Sequence, residues 1–309
     1  MSSDIGDPVQ FVESRFGIRM HKVTNKEYAG PCPWCGGVDR FRIWRDRGNY
    51  YCRPNPGHCG RSGWLDELDG DKVKPLTPEQ QLAARVAALE QWKAETDARL
   101  SALERMHQSS AHLLYHQNLA DTGAGADYWL AEGMTSAIIK HKLGYCASCP
   151  TAPGQASYTI PVMAGGKLWN IRHRLVSPNG ASKYRPHMPG LPSMIFNADD
   201  LKRTDARELL ILEGEKKSMI VTQETGRANI AVMGMQNFKP EWAAKVGPWF
   251  RTVYVAYDPD ATEKAAQVAA LFGARGRVVD LPVKADDFFV RYGGTAGQFA
   301  AHLASARAV

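Results

Sequence analysis

Two short apolar runs, each ending in carboxylates, set the pattern of the C-terminal third of the chain. Glu208-Leu-Leu-Ile-Leu-Glu213 and Thr252-Val-Tyr-Val-Ala-Tyr-Asp258-Pro-Asp260 are unbroken and rich in Leu, Ile and Val. Such runs read as strands of a parallel sheet covered on both faces. Around them the pattern predicts a helix from about Glu215 to Thr225, ended near Gly226, and a strand from Asn229 to Met235. A helix from Thr262 to Phe272, ended at Gly273, and a strand from Val278 to Pro282 follow. Strand and helix alternate, so residues 206–309 are expected to form an α/β domain with a mainly parallel sheet. In open α/β sheets ligands collect beyond the carboxyl ends of the strands. Glu213, Asp258 and Asp260 are therefore expected to face one crevice. Three carboxylates there repel one another unless a cation sits among them, and hard oxygen donors suit Mg²⁺ or Mn²⁺.

Upstream the pattern changes. Asp127 to Tyr145 reads as two short helices broken at Gly133, and Tyr158–Met163, Lys167–Val176, Lys183–Arg185 and Ile195–Asn197 read as strands, the first two joined by a turn at Gly165-Gly166. Residues 121–205 are thus expected to be a mixed α+β subdomain. Lys167, Arg172, Arg174, Lys183 and Arg185 fall between Gly165 and Gly190, with no acidic residue among them. A basic patch beside an acidic site fits a bound nucleic acid or triphosphate. Residues 75–120 read as a helical linker. Thr77, Pro78 and Gln80 form a capping box, and no Gly or Pro follows until after Leu119. Leu82, Val86, Leu89, Leu100, Leu103 and Leu114 keep a seven-residue beat that Lys93, Thr96, His107 and Ser110 interrupt. Imperfect heptads predict one long helix lying on the next domain and not a stable coiled coil.

Composition narrows the chemistry. The chain has 309 residues, a formal net charge of +6 and six cysteines. No apolar run approaches a membrane span and Met1-Ser-Ser-Asp lacks a signal-peptide pattern, so a soluble, cytoplasmic protein with no membrane partner is expected. Six cysteines are too few for a disulfide scaffold of this length, and their clustering suggests metal. Cys32-Pro-Trp-Cys35-Gly-Gly is a zinc knuckle by composition. Cys52 and Cys59 are the expected partners for one structural Zn²⁺, with His58 an alternative to Cys59. Between Cys32 and Trp64 lie six arginines and two aspartates, interleaved with Trp34, Phe41, Trp44, Tyr50, Tyr51 and Trp64. Arginines meet phosphates and aromatic faces stack on unpaired bases, although part of this aromatic set must form the ribbon's own small core. Residues 1–74 are read as this zinc ribbon. Cys146 and Cys149 form a further Cys-x-x-Cys with no second pair, and read as a loop pair.

Cys-Pro-x-Cys-Gly-Gly, Asp39-Arg-Phe, Tyr-x-Cys and Cys-Gly-x-x-Gly together resemble the zinc-binding domain of bacterial and phage DNA primases, with a longer second knuckle. The basic strands and the Glu213-Gly-Glu and Asp258-Pro-Asp pairs are similar to the basic subdomain and the TOPRIM domain of the same family, in the same order. The resemblance implies a nucleotidyltransferase that makes short RNA primers on single-stranded DNA from ribonucleoside triphosphates, in a bacterial or phage-infected cell, with a replicative helicase on a separate chain. It implies Glu213, Asp258 and Asp260 as the catalytic carboxylates. Arg174 and Lys183 match the family's basic motifs, and Lys284-Ala-Asp286-Asp287 matches a segment that can complete the metal site. Two departures stand out: Lys216, Lys217 and Ser218 follow the Glu-Gly pair where many primases carry Asp, and Ala261 follows Asp260 where many carry Gly. The other readings are a zinc-ribbon/TOPRIM mediator that binds DNA without catalysis, and a TOPRIM nuclease. No Gly-x-x-x-x-Gly-Lys-Ser/Thr loop for ATP is present.

Overall fold

The computed structural model describes residues 6–53, 55–68, 76–123, 125–178, 182–233 and 238–309. The expected boundary between the ribbon and the linker, at residues 74 and 75, and Gly234 and Met235 of the expected second strand, lie outside them. The chain divides into two compact units, Met1–Leu100 and Ser101–Val309.

The first unit opens with α1 (Pro8–Phe16), capped by the Asp7 carboxylate, which accepts from the Val9 amide. Five antiparallel strands follow in spatial order: β1 (His21–Lys22), β2 (Glu27–Cys32), β3 (Gly36–Trp44), β4 (Asn49–Cys52) and β5 (Ser62–Trp64). The period-two alternation of a strand decides which aromatics build the core. Phe41 and Ile43 on β3 and Tyr50 and Cys52 on β4 lie buried against Phe16 and Trp34. On the other face the register places Trp44, Asn49 and Trp64 in one row, with Tyr51 beside them. Trp44 stacks on Tyr51 at 4.8 Å, Arg47 lies over Trp44, and Trp64 is 55% exposed.

The helix α2 (Pro78–Gln108) begins with the expected capping box: the Thr77 amide donates to Gln80 Oε1 and the Gln80 amide to Thr77 Oγ1. Two expectations fail here. The helix stops at Gln108, and α3 (Ala111–Thr122) is separate. The cause is local: Ser109 Oγ accepts from the Ala111 amide and competes with the helical ladder. Nor does the apolar beat bury, since Leu82, Val86, Leu89 and Leu100 all remain exposed.

In the second unit α4 (Ala126–Ala131) and α5 (Ser136–Lys140) flank Gly133, whose φ of +79° only glycine adopts easily. A four-stranded antiparallel sheet follows, β6 (Gly144–Cys146), β7 (Ser157–Ala164), β8 (Lys167–Leu175) and β9 (Tyr184–Pro186). The β7–β8 hairpin turns at Gly165 and Gly166, both with positive φ, as the two-residue turn requires. Of the expected Ile195–Asn197 strand only a single bridge remains, Phe196 to Ala231.

The rest is an α/β sandwich: β10 (Glu208–Glu213), α6 (Glu215–Thr225), β11 (Asn229–Val232), α7 (Pro240–Ala243), β12 (Thr252–Ala256), α8 (Thr262–Ala270), β13 (Gly276–Val278), α9 (Ala285–Val290), α10 (Ala296–Ala304) and β14 (Arg307–Ala308). The sheet order is β11-β10-β12-β13-β14, parallel except for β14. The unbroken Leu run of β10 is explained by burial on both faces: Leu210 and Leu212 join one core, Leu209 and Ile211 the other. The fourth strand sits about two residues earlier than the sequence suggested, with Val278 as its last residue.

Candidate functional site

The metal centre of the first unit is built by two tight turns. Cys32 and Cys35 flank the β2–β3 knuckle, where Gly36 and Gly37 have φ of +66° and +90°, and Cys52 ends β4. The four Sγ atoms of Cys32, Cys35, Cys52 and Cys59 lie within 4.8 Å of one another. Cys32–Cys59 and Cys35–Cys52 are 3.6 and 3.5 Å apart, close to the ~3.8 Å edge of a tetrahedron with 2.3 Å Zn–S bonds. Crowding pushes the Cys32 thiol up and pulls the Cys35 thiol down, each through its hydrogen bond with the other. One dication would resolve that competition. His58 stands outside the cluster, its Nδ1 at 2.9 Å from the Arg53 carbonyl oxygen. The chain carries a four-cysteine zinc site, with Cys59 and not His58 beside the other three thiols.

The second unit holds a cleft of about 570 Å³ beyond the carboxyl end of β10. Gly214, with φ +85°, makes the turn from Glu213 on β10 into α6. From this side Glu213, Glu215, Lys216 and Lys217 line the cleft. From the antiparallel sheet come Arg172, Arg174, Lys183 and Tyr184, and from α9 and its flanks Lys284, Asp286, Asp287 and Arg291. With Glu132 the lining holds seven cationic side chains against five carboxylates, so the cleft suits a polyanion.

Arg172 donates to Glu215 Oε1 at 2.5 Å and lies over the Tyr184 ring at 4.4 Å. Arg174 lies over Tyr128 at 4.7 Å, and Tyr128 stacks on Tyr158 at 3.7 Å. Both guanidinium groups are thus held in place before any ligand arrives. Burial, aided by Arg174 and Lys284, draws Lys183 below the usual lysine range. Two of the five expected basic residues fall elsewhere. Arg185 pairs in register with the buried His173, on the sheet face opposite Arg172 and Arg174. Lys167 is exposed at the hairpin end.

The three expected carboxylates do not come together as a cage. Glu213 lines the cleft, but Asp258 and Asp260 do not. Asp258 is buried between two ammonium groups: Lys217 Nζ lies 2.9 Å from Oδ1, an ion pair without hydrogen-bond geometry, and Lys284 Nζ 3.3 Å from Oδ2. Asp258 in turn holds Lys284 above the usual lysine range. Asp260 is exposed, in the short 3-10 turn Pro259–Ala261 after β12. Of the further candidates, Asp286 meets Lys216 at 3.4 Å and Asp287 meets Arg291 at 3.0 Å. Among the described residues the four cysteines are the only group of three or more such side chains placed to hold a metal. The donors are hard oxygens of the kind Mg²⁺ prefers, but their arrangement is one of ion pairs. The sequence reading missed Glu132, Lys216, Lys217 and Arg291; the four-residue spacing of Asp287 and Arg291 was the one local hint. Cys146 and Cys149 are buried free thiols, Cys146 Sγ donating to the Ser148 carbonyl. A smaller recess of about 190 Å³ adjoins the cleft, sharing Arg172 and Met233 and walled by Val162, Met188, Leu191 and Pro192.

Residues 27–64 match the family described as the zinc-binding domain of primase-helicase. No curated protein matches the chain by sequence. Among solved structures, the zinc-binding and RNA polymerase domains of the Aquifex aeolicus primase superpose with a TM-score of 0.55 at 16% identity, covering 99% of this chain and 86% of that one. The RNA polymerase domain of Mycobacterium tuberculosis primase DnaG, in complex with a double-stranded DNA oligomer with a 6-nucleotide overhang, gives 0.54 at 16% identity, with 67% and 81% covered. The DnaG primase catalytic domain bound to ssDNA gives 0.54 at 15%, with 68% and 80% covered. The resemblance read from the motifs holds: the ribbon matches a primase family, and the fold is that of bacterial primases. Among the described residues no helix is long and apolar enough to cross a membrane.

Proposed function

We propose that this chain is a DNA primase, which makes short RNA primers on single-stranded DNA by nucleotidyl transfer. The observation that carries the reading is the cleft at the end of β10, where Glu213 faces Arg172, Arg174 and Lys183, in a chain that also carries a primase-family zinc ribbon. We take residues 206–309 as a TOPRIM domain, 121–205 as the basic subdomain of the core, 75–120 as linker and 1–74 as the template-binding ribbon. Some primase cores of this fold are seen bound to DNA, and DNA is the template we assign here.

In the reaction a 3′-hydroxyl attacks the α-phosphorus of an incoming nucleoside triphosphate and pyrophosphate leaves. Positioning and charge neutralisation do most of the work in such transfers. We assign Arg174 and Lys183 to the phosphates, Arg172 to the floor of the site, and the apolar recess beside Arg172 to the base. Glu213 takes the proton of the attacking hydroxyl in this scheme. A divalent ion, Mg²⁺ or Mn²⁺, would be held at Glu213 and would supply charge neutralisation for the triphosphate. The Trp44–Tyr51–Trp64 face of the ribbon is suited to stack on template bases. A helicase on a separate chain remains the expected partner in the cell.

The test is direct. Protein, single-stranded DNA, four ribonucleotides and Mg²⁺ or Mn²⁺ should yield new short RNA. A non-catalytic mediator would bind the DNA and give no product, and a nuclease would shorten the template.

A further inference from the structure

The ion pairs around Asp258 carry a consequence for metal binding, and it rests on the cleft being the nucleotide site. Asp258 sits at the end of β12, next to the strand that ends in Glu213. Its side chain is 10% exposed, and that of Lys217, which reaches it from the first turn of α6, is 12% exposed. Two nearly buried groups of opposite charge at 2.9 Å are each other's main compensation for lost water. Lys284 takes the second oxygen at 3.3 Å. A divalent ion at Asp258 would have to displace one ammonium and sit beside the other, against their charge. The neighbouring acids follow the same plan, Asp286 with Lys216, Asp287 with Arg291 and Glu215 with Arg172.

We propose that Lys217 is a resident cation: it holds the Asp258 carboxylate, keeps divalent ions off it, and leaves the carboxyl end of the parallel sheet with one divalent site fewer than its carboxylates would otherwise provide. The lysine is fixed to the helix, so the positive charge at this strand end is present before substrate binds.

The test counts Mn²⁺ by electron paramagnetic resonance on the full-length protein with its zinc loaded. Wild type and Asp258→Asn should bind the same number of Mn²⁺ ions. Lys217→Asp, which removes the ammonium and adds a carboxylate, should bind one more, and Asp258→Asn in that background should lose it again. Lys217→Met, which keeps the length and apolar stem, is the second variant should the charge reversal fail to fold, and it too should gain a Mn²⁺. Loss of one Mn²⁺ on Asp258→Asn in the wild-type background, or no gain in a folded Lys217 variant, overturns the proposal. These counts are independent of synthesis: failure to make RNA would refute the primase reading and leave the resident cation standing.

Discussion

Arg172→Ala separates a basic residue that holds the site together from one that serves it. Arg172 Nη1 lies 2.5 Å from Glu215 Oε1, and the two side chains are 19% and 4% exposed. Truncating Arg172 strands a carboxylate in the interior, and breaking such a pair costs ~3–5 kcal/mol when both groups are fully buried. Two features reduce that. Arg172 is partly wet, and Glu215 stands in the first turn of α6, where the helix dipole stabilises a negative charge by up to ~1 kcal/mol. A loss of about 2–4 kcal/mol follows, which for a unit of this size lowers the melting temperature by about 5–15 °C. Differential scanning calorimetry on the second unit's transition reads it. The double variant Arg172→Met with Glu215→Gln should recover more than half of the loss, because it removes both charges and keeps the volume. A melting point within about 1 °C of the parent for the single variant, or no recovery in the double, would show that the ion pair does not hold this interface.

Arg174→Ala and Lys183→Ala should move melting by only a few degrees, since Arg174 leans on aromatic faces in contacts worth ~0.5–1 kcal/mol. Each should weaken single-stranded DNA or nucleotide binding and lower the salt slope by about 0.7, and filter binding across a salt series with unchanged slopes would refute their phosphate role. Cys35→Ser should lose zinc and unfold the ribbon while the second unit keeps its melting transition; metal analysis showing full zinc content would contradict the four-thiol site. A protein beginning at Thr77 should extend a supplied RNA primer weakly and fail to initiate on bare template; unimpaired initiation would refute the division of labour. Acid should destabilise the second unit early: burial lowers His173 and His141 to about 4. A folded-state value below the ordinary ~6.5 means stability is intact above that pH and falls as pH drops towards 4, by up to ~3 kcal/mol per histidine. His173→Gln, able to keep a bond to Ser157, should flatten the melting curve against pH in that window.

Much of the parallel sheet was legible because its signal is local. The Leu209–Leu212 run, the Glu213-Gly214 turn and the α6 boundaries follow from burial on two faces and one positive φ. Cys32 and Cys35 were legible for the same reason, as turn chemistry fixes their spacing, whereas the longer second knuckle left Cys59 and His58 open. What remained hidden depends on pairing between distant residues. Arg185 looks equivalent to Arg174 in a basic stretch, but β9's register puts it beside His173 on the other face. Nothing near Asp258 in the sequence shows that Lys217, forty-one residues earlier, folds onto it. The break at Ser109 turns on one hydroxyl, and the exposed beat of α2 shows that apolar spacing alone does not supply a partner.

The central claim, that RNA is made at the Glu213 end of the cleft, is tested most directly by comparing RNA yield from wild type and Glu213→Gln on the same single-stranded template. The substitution keeps shape and removes the charge at the transfer point. The account predicts short RNA from the wild type and a yield at least ~100-fold lower from the folded variant. Equal yields from the two proteins would contradict it.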